Sequence, residues 1–324
     1  METNTSIQMR HLGKTDILVT PIGLGVMELA GGGGLIGRMF PVISQEDKNA
    51  IIKAALDGGI NWFDTAEMYG AGVSERSLAI GLKAAGKTDR DVIIATKWQP
   101  ILRTARNIPH SIEDRLHFLD GFSIANYMVH QPYSFSSPEA EMNAMADLLE
   151  AGKIRSVGVS NFNPARMRRA HAALAKRGIP LAVNQVHYNL LHRQIESNGV
   201  LDTARELGVT ITAYSPVARG LLTGKYHQDP ALLARLPGWR RASMARNLER
   251  TRPLINVLAE IATLHAATIA QVALNWLINF NGELVVTIPG ATKVRQAEES
   301  AGAMKFLLTG EELSRIDVVS RKLQ

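Results

Sequence analysis

The stretch Gly59-Ile60-Asn61-Trp62-Phe63-Asp64 decides the fold, because it is a short apolar run that ends in an acid, and a segment of helical length follows it at 73–85. Short apolar runs are typical of buried parallel strands, and amphipathic segments are typical of the helices that connect them. This unit recurs along the chain. The predicted strands are 21–25, 60–64, 92–97, 124–130, 154–160, 182–187, 210–214 and 284–288. The predicted helices lie at about 45–58, 73–85, 110–119, 138–150, 163–176, 195–207, 268–279 and 293–303.

Eight such units predict an α/β fold, a (β/α)8 TIM barrel, whose active site lies at the carboxyl ends of the strands. The 324 residues, of which 46% are apolar, can bury one barrel-sized core or two smaller ones, and one domain over residues 1–324 is the simpler prediction. A doubly wound open sheet is the competing fold. It is disfavoured because no Gly-x-Gly-x-x-Gly motif lies between the first strand and a helix.

Three segments fall outside the repeated units. Residues 9–19 predict a small β-hairpin that could plug the barrel floor. The connections 27–44 and 215–250 are much longer than the roughly 2–6 residues usual for such loops, so both are expected to shape a ligand site at the rim. Within the first of them, the glycine-rich part at 28–43 could act as a flexible lid.

Composition excludes several classes of function. The chain has no cysteine, which rules out disulfides, thiolate metal sites and cysteine nucleophiles. Its net charge of +6 is spread along the chain, so nucleic-acid binding is not expected. The N-terminus lacks the basic start and apolar run of a signal peptide, and no segment has about 18 uninterrupted apolar residues. We therefore expect a soluble, cytoplasmic protein that does not bind membranes.

Four polar residues stand at the ends of three successive predicted strands: Asp64 and Tyr69, then Lys97, then His130. The ordinary pKa of tyrosine is about 10, so a tyrosine that donates a proton at neutral pH needs a neighbour that favours the phenolate, and Lys97 is the candidate. Asp64 can supply the carboxylate that a buried ammonium requires, and His130 can donate a hydrogen bond to a carbonyl oxygen. Together the four would polarise and protonate a C=O group.

Each of the four also has an ordinary structural explanation, as a helix cap, a packed aromatic ring, a surface charge or a core histidine. Their coincidence at equivalent strand ends favours a site. A metal-dependent barrel hydrolase is a further alternative, but it needs clustered histidine and carboxylate ligands. His130 and His187 are the only histidines at predicted strand ends, so no metal is expected.

The sequence resembles the aldo-keto reductase superfamily over nearly its whole length. Residues 58–75 (GGINWFDTAEMYGAGVSE) are similar to the first signature of that family. Ala95-Thr96-Lys97 and Met128-Val129-His130-Gln131-Pro132 match its other two catalytic positions. The resemblance continues through 152–162, Asn184-Gln185-Val186, Ala213-Tyr214-Ser215-Pro216 and Ile288-Pro289-Gly290-Ala291.

The resemblance implies hydride transfer between a nicotinamide cofactor and a small-molecule carbonyl substrate. Tyr69 would be the general acid, Lys97 and Asp64 would tune it, and His130 would orient the substrate oxygen. Ser160, Asn161 and Gln185 match positions that bind the carboxamide, and Tyr214 matches the ring that stacks on nicotinamide. The other cofactor positions implied are Gly25, Met27, Ser215, Pro216, Gly220, Leu221, Lys225, Arg241, Ile288, Gly290, Ala291, Lys293, Gln296, Glu299 and Ser300.

Two motifs resemble one bacterial-type branch of the superfamily, which is similar to the potassium-channel β-subunits. Residues 220–226 (GLLTGKY) resemble a belt over the cofactor pyrophosphate, where Lys225 and Arg241 would neutralise phosphate. Gly290 and Gln296 stand where the better-known pattern has lysine and arginine. The branch implies NADPH as the preferred cofactor, with NAD possible. It also leaves open a cofactor-sensing regulatory subunit with residual reductase activity.

The substrate pocket is expected to have apolar walls, formed by side chains of loops at the same rim. The candidates are Trp98, Tyr133, Phe135 and Trp239.

Overall fold

The structure is a computed structural model of the chain. It describes residues 7–33, 41–236 and 238–324, apart from the side chains of Trp239, Arg240 and Ser243. The predicted lid at 28–43 therefore lies partly outside the described residues. The side chain of Trp239, a predicted wall of the substrate pocket, also lies outside them.

The described part of the chain contains ten strands and eleven α-helices. The strands are β1 Arg10–His11, β2 Leu18–Val19, β3 Leu24–Gly25, β4 Trp62–Asp64, β5 Ile93–Trp98, β6 Asn126–Val129, β7 Val157–Ser160, β8 Leu181–His187, β9 Thr210–Tyr214 and β10 Val285–Thr287. The helices are α1 Gln45–Asp57, α2 Val73–Ala84, α3 Ile108–Leu119, α4 Pro138–Glu150, α5 Pro164–Ala175, α6 Val200–Leu207, α7 Lys225–Gln228, α8 Gly238–Leu264, α9 Ile269–Asn279, α10 Val294–Gly302 and α11 Gly310–Arg321.

The strands β3 to β10 form one parallel sheet in chain order, and its two edges meet. Ile22 bridges Thr287 in parallel register, Gly23 N–H donates to the Thr287 carbonyl at 2.8 Å, and Thr287 N–H donates to the Pro21 carbonyl at 2.9 Å. These hydrogen bonds close the sheet, because the first strand pairs with the last and no edge is left open. The predicted (β/α)8 barrel is confirmed.

The predicted N-terminal hairpin is also confirmed. The strands β1 and β2 pair antiparallel, and Leu12, Ile17 and Val19 form an apolar cluster with barrel residues that include Trp62 and Val286. The hairpin therefore covers the floor of the barrel, at the end opposite to the carboxyl ends of the strands. This leaves the other mouth as the open face.

Short polar signals set the starts of the outer helices. Ser44 accepts a hydrogen bond from Asp47 N–H at the start of α1, and Ser137 and Asn163 do the same for Ala140 and Arg166 in helices that begin with proline. The sequence places the start of the third helix two residues too late, because α3 begins at Ile108.

The long connection predicted at 215–250 is present, but much of it is helical, which the sequence did not predict. It contains short helical turns, the four-residue α7, and the start of the 27-residue helix α8. Five arginines lie between 238 and 252, and Pro253 follows inside the helix, so the sequence lacks a clear apolar stripe there. The C-terminal helix α11 was likewise not predicted.

No single described helix is long and apolar enough to span a membrane. One pair, Met244–Leu264 with Ile269–Asn279, meets the length and composition requirement jointly, and it is bent by 95°.

Candidate active site

The four rim residues come together at the open mouth of the barrel. Asp64 ends β4, Lys97 lies near the end of β5, His130 directly follows β6, and Tyr69 lies in the connection between β4 and α2. Parallel pairing of β4, β5 and β6 sets these strand ends side by side. The register thus gathers residues that are far apart in sequence.

A buried ion pair forms the centre of this group. Lys97 Nζ lies 2.5 Å from Asp64 Oδ1 and donates to the Thr65 carbonyl at 2.8 Å, with side chains 0% and 2% exposed for lysine and aspartate. Burial lowers the pKa of Lys97 and the Asp64 charge opposes that change. Burial raises the pKa of Asp64, against the attraction of the ammonium. Each charge therefore depends on the other to remain ionised.

Tyr69 lies next to this pair, with Lys97 Nζ 5.1 Å from its ring centroid. The expected acidification of the phenol is not found. Burial raises the pKa of Tyr69 well above its ordinary value, and the carboxylates of Asp64 and Glu28 raise it further. The phenol consequently holds its proton at neutral pH, which is the state that a proton donor requires.

His130 faces the edge of Tyr69, with the ring centroids 5.7 Å apart and the planes at 82°. Burial, helped by the charge on Lys97, holds the pKa of His130 well below its usual range, so the imidazole is neutral at neutral pH. Its Nδ1 is buried and has no hydrogen-bond partner in the described part of the chain. A neutral ring with an unused nitrogen can bond a ligand oxygen.

The predicted carboxamide residues form a hydrogen-bonded chain that reaches the ion pair. Gln185 Nε2 donates to Asp64 Oδ2 at 2.9 Å, and Ser160 Oγ donates to the Gln185 carbonyl at 2.9 Å. Asn161 Nδ2 donates to Ser160 Oγ at 3.0 Å, and the Tyr214 hydroxyl donates to Asn161 Oδ1 at 3.1 Å. The structure therefore brings all four together with Asp64.

Tyr214 is backed by a stack of histidines that sequence reasoning missed. The His187 ring lies 5.3 Å from the Tyr214 ring at an interplanar angle of 6°, and His192 stacks on His187 at 4.0 Å. Burial, with the charges of His192 and Arg219, lowers the pKa of His187 to about 4, so the His187 ring is uncharged at neutral pH. One face of Tyr214 is thus covered by His187. The strand-end position of His187 was visible in the sequence, but its stacking partner was not.

The backbone is strained at several predicted cofactor positions. Asn161 and Ser215 have φ of 59° and 54°, and Ala218 and Arg219 just beyond have 48° and 55°. Left-handed conformations are uncommon for residues other than glycine, and such strain concentrates at functional sites. This strain marks the connections after β7 and β9 as a candidate ligand site.

A cavity of about 540 Å³ lies farther out, next to the N-terminus of α10. It unites four predicted cofactor residues, namely Lys225, Lys293, Gln296 and Glu299, with Arg295, which was not predicted. Three cations at one cavity favour a phosphate ligand.

Gln296 already has partners in this cavity. Its side-chain oxygen accepts hydrogen bonds from the Thr292 and Lys293 backbone N–H groups at 2.8 Å and 3.1 Å, and so caps α10. These bonds would have to change if Gln296 bound a ligand.

Glycines at the seam of the barrel allow the backbones to approach closely. Gly25 N–H donates to the Pro289 carbonyl at 3.0 Å, and a Cβ at Gly25 would come within 2.9 Å of the Ile288 carbonyl. Gly220 has φ of 90°, and a Cβ there would come within 3.2 Å of the end of the Lys225 side chain. The remaining predicted positions are the half-buried Met27 and the buried Pro216, Leu221, Ala291 and Ser300.

Arg241 lies apart from this group. Its side chain is exposed and donates hydrogen bonds to the carbonyls of Ala234 and Leu236 at 3.0 Å and 3.3 Å. It does not line the cationic cavity, so the structure does not support its predicted contact with phosphate.

The prediction that Trp98 lines the substrate pocket is wrong. Its side chain is 0% exposed, packs in the main core with Ile108 and Ile112, and donates to Asn107 Oδ1 at 3.0 Å. Side chains alternate along a strand, so Trp98 points outward because Lys97 points inward. Tyr133 and Phe135, at 64% and 72% exposure, remain available to a ligand.

The described residues contain no group of three or more histidine, aspartate or glutamate side chains that could hold a metal ion.

Comparisons with known proteins point to one family, whose profile, described as the Aldo/keto reductase family, matches residues 21–321. An uncharacterised oxidoreductase of Mycobacterium tuberculosis is 37% identical over an alignment of 297 positions that covers 90% of this chain and 87% of that protein. An aldo-keto reductase of Schizosaccharomyces pombe, named with NADP(+), is 30% identical over an alignment of 329 positions that covers 96% of this chain and 91% of that protein. A crystallised thermostable aldo-keto reductase, bound to the inhibitor epalrestat, has a TM-score of 0.76 at 30% identity and covers 96% of this chain and 99% of its own. The chain belongs to the aldo/keto reductase family and is an oxidoreductase.

Proposed function

We propose that the protein reduces an aldehyde or ketone with NADPH, reversibly, and that Tyr69 is the general acid. One observation carries the proposal: a protonated phenol lies between a buried ion pair and a neutral imidazole at the open mouth. The bound dinucleotide would supply the hydride. The other steps belong to the side chains of Asp64, Tyr69, Lys97 and His130.

In this mechanism His130 and Tyr69 both bond the substrate oxygen. The neutral His130 donates a hydrogen bond that polarises the C=O group, and Tyr69 gives its proton to the oxygen as negative charge develops there. Lys97 stabilises the resulting phenolate through its charge, and Asp64 keeps Lys97 protonated in its buried position. The reverse reaction uses the phenolate as the base.

The cationic cavity supports NADPH as the preferred cofactor. Lys225, Lys293 and Arg295 line it, and a 2′-phosphate adds charge that NAD(H) lacks. The nicotinamide would stack on Tyr214, with Ser160, Asn161 and Gln185 near its carboxamide. The NADP(+) in the name of the yeast relative agrees with this assignment.

We also place the chain in the bacterial-type branch that the belt at 220–226 and the Ile288-Pro289-Gly290 motif indicate. The alternative from the sequence, a cofactor-sensing regulatory subunit with residual reductase activity, is not favoured. All four proton-transfer groups are present and close together, which supports catalysis as the main activity. One domain over 1–324 and a cytoplasmic location stay predictions of the sequence.

The test is NADPH oxidation by the purified chain across a panel of aldehydes and ketones, followed by the absorbance of the reduced nicotinamide. Tyr69→Phe should lower kcat by about 10²- to 10⁴-fold, the usual contribution of general acid catalysis, while the Kd for NADPH stays within about threefold. Tyr127→Phe is the matched control, because it removes another buried hydroxyl, one that faces Ser111 at 3.5 Å. No turnover by the wild-type protein on any carbonyl would refute the proposal.

A further inference from the structure

One carboxylate at the mouth has no role in this mechanism. Glu28 follows β3 in a short helical turn over Met27–Ala30, and the residue is half-buried. Its Oε2 atom is shielded from solvent and has no hydrogen-bond partner among the residues that the structure describes. A buried oxygen without a partner is costly, so this atom needs an explanation.

The carboxylate lies against Gly290 on the far side of the barrel seam. A Cβ at Gly290 would lie 2.3 Å from Glu28 Oε2 and 2.5 Å from Oε1. The φ of Gly290 is not left-handed, so space alone forbids a side chain there. Gly290 is also the position where the better-known sequence pattern has a lysine. In this protein the Glu28 carboxylate, from the connection after β3, occupies the space that a side chain at position 290 would need.

Among the residues that the structure describes, no ionisable neighbour neutralises Glu28. Tyr69 carries no positive charge to offer, and the charge of Glu28 contributes to the raised pKa of that phenol. Burial raises the pKa of Glu28 to about 7, opposed by a hydrogen bond from its own backbone, and no cation in the described ranges contributes. Other described charged groups on the segments around Glu28 are engaged elsewhere. Glu67 accepts a hydrogen bond from Arg103, Glu75 pairs with Arg115, Arg76 lies over the Phe118 ring, and Lys293 lines the cationic cavity.

The position of Glu28 places it on the expected path of the dinucleotide. Gly25, Met27 and Gly290 are cofactor positions implied by the family resemblance, and Glu28 contacts the last of these. An ionised carboxylate there would repel the pyrophosphate. A protonated carboxyl group would instead gain a hydrogen-bond acceptor for the buried oxygen.

We propose that Glu28 binds the dinucleotide as a neutral carboxylic acid and donates the proton on Oε2 to a ribose or pyrophosphate oxygen, so that binding takes up one proton from solvent. The inference rests on the proposed function. It makes Glu28 a cofactor-binding residue that couples affinity to pH.

The experiment is isothermal titration calorimetry of the full chain with NADPH at about pH 7.5, in buffers of different ionisation enthalpy. At this pH most Glu28 groups are ionised before binding, so uptake of roughly 0.5 to 1 proton is expected. Glu28→Gln should remove that uptake, because the amide is neutral and can still donate. Glu298→Gln, an exposed acid on α10, is the matched control and should behave as wild type.

Affinity gives a second readout. Above about pH 7.5 the wild-type Kd should rise by up to tenfold per pH unit, and the Glu28→Gln Kd should stay flat. NADH should show the same proton uptake in the wild-type protein, which separates Glu28 from titration of the 2′-phosphate and needs no variant.

Each remaining outcome would overturn the inference. Binding of NADPH with equal proton uptake by wild type and Glu28→Gln refutes the role of Glu28 and leaves the proposed function intact. If Glu28→Gln binds NADPH more weakly and the wild type takes up no proton, Glu28 is an ionised carboxylate that accepts a hydrogen bond from a ribose hydroxyl, and the inference is refuted. Failure of the wild type to bind any dinucleotide would remove both proposals.

Discussion

Replacing Lys97 by methionine tests the ion pair on which the site depends. The change keeps the length of the side chain and removes its charge and its hydrogen bonds to Asp64 and the Thr65 carbonyl. Of its hydrogen bonds within the described part of the chain, the Asp64 carboxylate, 2% exposed, would keep only the 2.9 Å bond from Gln185. Removal of one partner of a buried pair costs about 3–5 kcal/mol, so we expect a loss of that size in the free energy of unfolding.

The double variant Lys97→Met/Asp64→Asn separates charge from packing. It contains neither buried charge, and an amide at 64 can still accept from Gln185. We therefore expect the double variant to lose no more than about 2 kcal/mol of the free energy of unfolding, which is much less than the sum of the losses in the two single variants.

The Lys97→Met loss should also grow with pH. The folded pKa of the unpaired Asp64 lies above the unfolded value of about 3.9, so stability falls as pH rises from that value to the folded pKa.

The assay is urea denaturation at about pH 5 and about pH 7.5, followed by tryptophan fluorescence and circular dichroism, whose coincidence checks two-state unfolding. Lys53→Met is the control, since it breaks an exposed pair with Asp57 at 63% and 62% exposure, and should cost no more than about 0.5 kcal/mol. A Lys97→Met loss below about 1 kcal/mol, or strict additivity in the double variant, would refute the reasoning.

Three further predictions address the cofactor, the core and the seam. Lys293→Ala/Arg295→Ala should raise the Kd of NADPH by about 100- to 200-fold and that of NADH by less than about threefold in fluorescence titrations, since two charge-assisted bonds of about 1.5 kcal/mol each total about 3 kcal/mol; equal weakening would place the 2′-phosphate elsewhere. Trp98→Ala should lower the free energy of unfolding by about 3–5 kcal/mol in urea without changing KM, whereas a KM effect on the folded variant would return Trp98 to the substrate pocket. Gly290→Ala should destabilise the protein by about 1–3 kcal/mol in thermal unfolding, and Glu28→Ala should rescue it; the absence of rescue would mean that the two residues do not touch.

The sequence alone was sufficient for the barrel and for the grouping of the four rim residues at one mouth. Alternation of apolar runs and helical segments is local, so it identifies strands without knowledge of their partners. Parallel strands place their carboxyl ends on one face, and this rule alone groups Asp64, Lys97 and His130. The floor hairpin followed from the same local pattern.

Helix α8 was missed for a different reason. Its first half carries several arginines and its middle carries a proline, so its stability comes from tertiary packing, for example of Met244 and Leu248 against Leu221. Local periodicity cannot report contacts of that kind.

Only the tertiary structure decided which side chains meet and in which charge state. Trp98 follows Lys97 directly, yet the strand turns one into the barrel and the other into the core. The pKa of Tyr69 depends on how deeply the folded barrel buries the phenol, and the sequence predicted the wrong direction of the pKa shift. Glu28 meets Gly290 because the first strand closes on the last. Contacts across that seam and the burial of charge are properties of the closed barrel, since neither exists until distant segments are brought together.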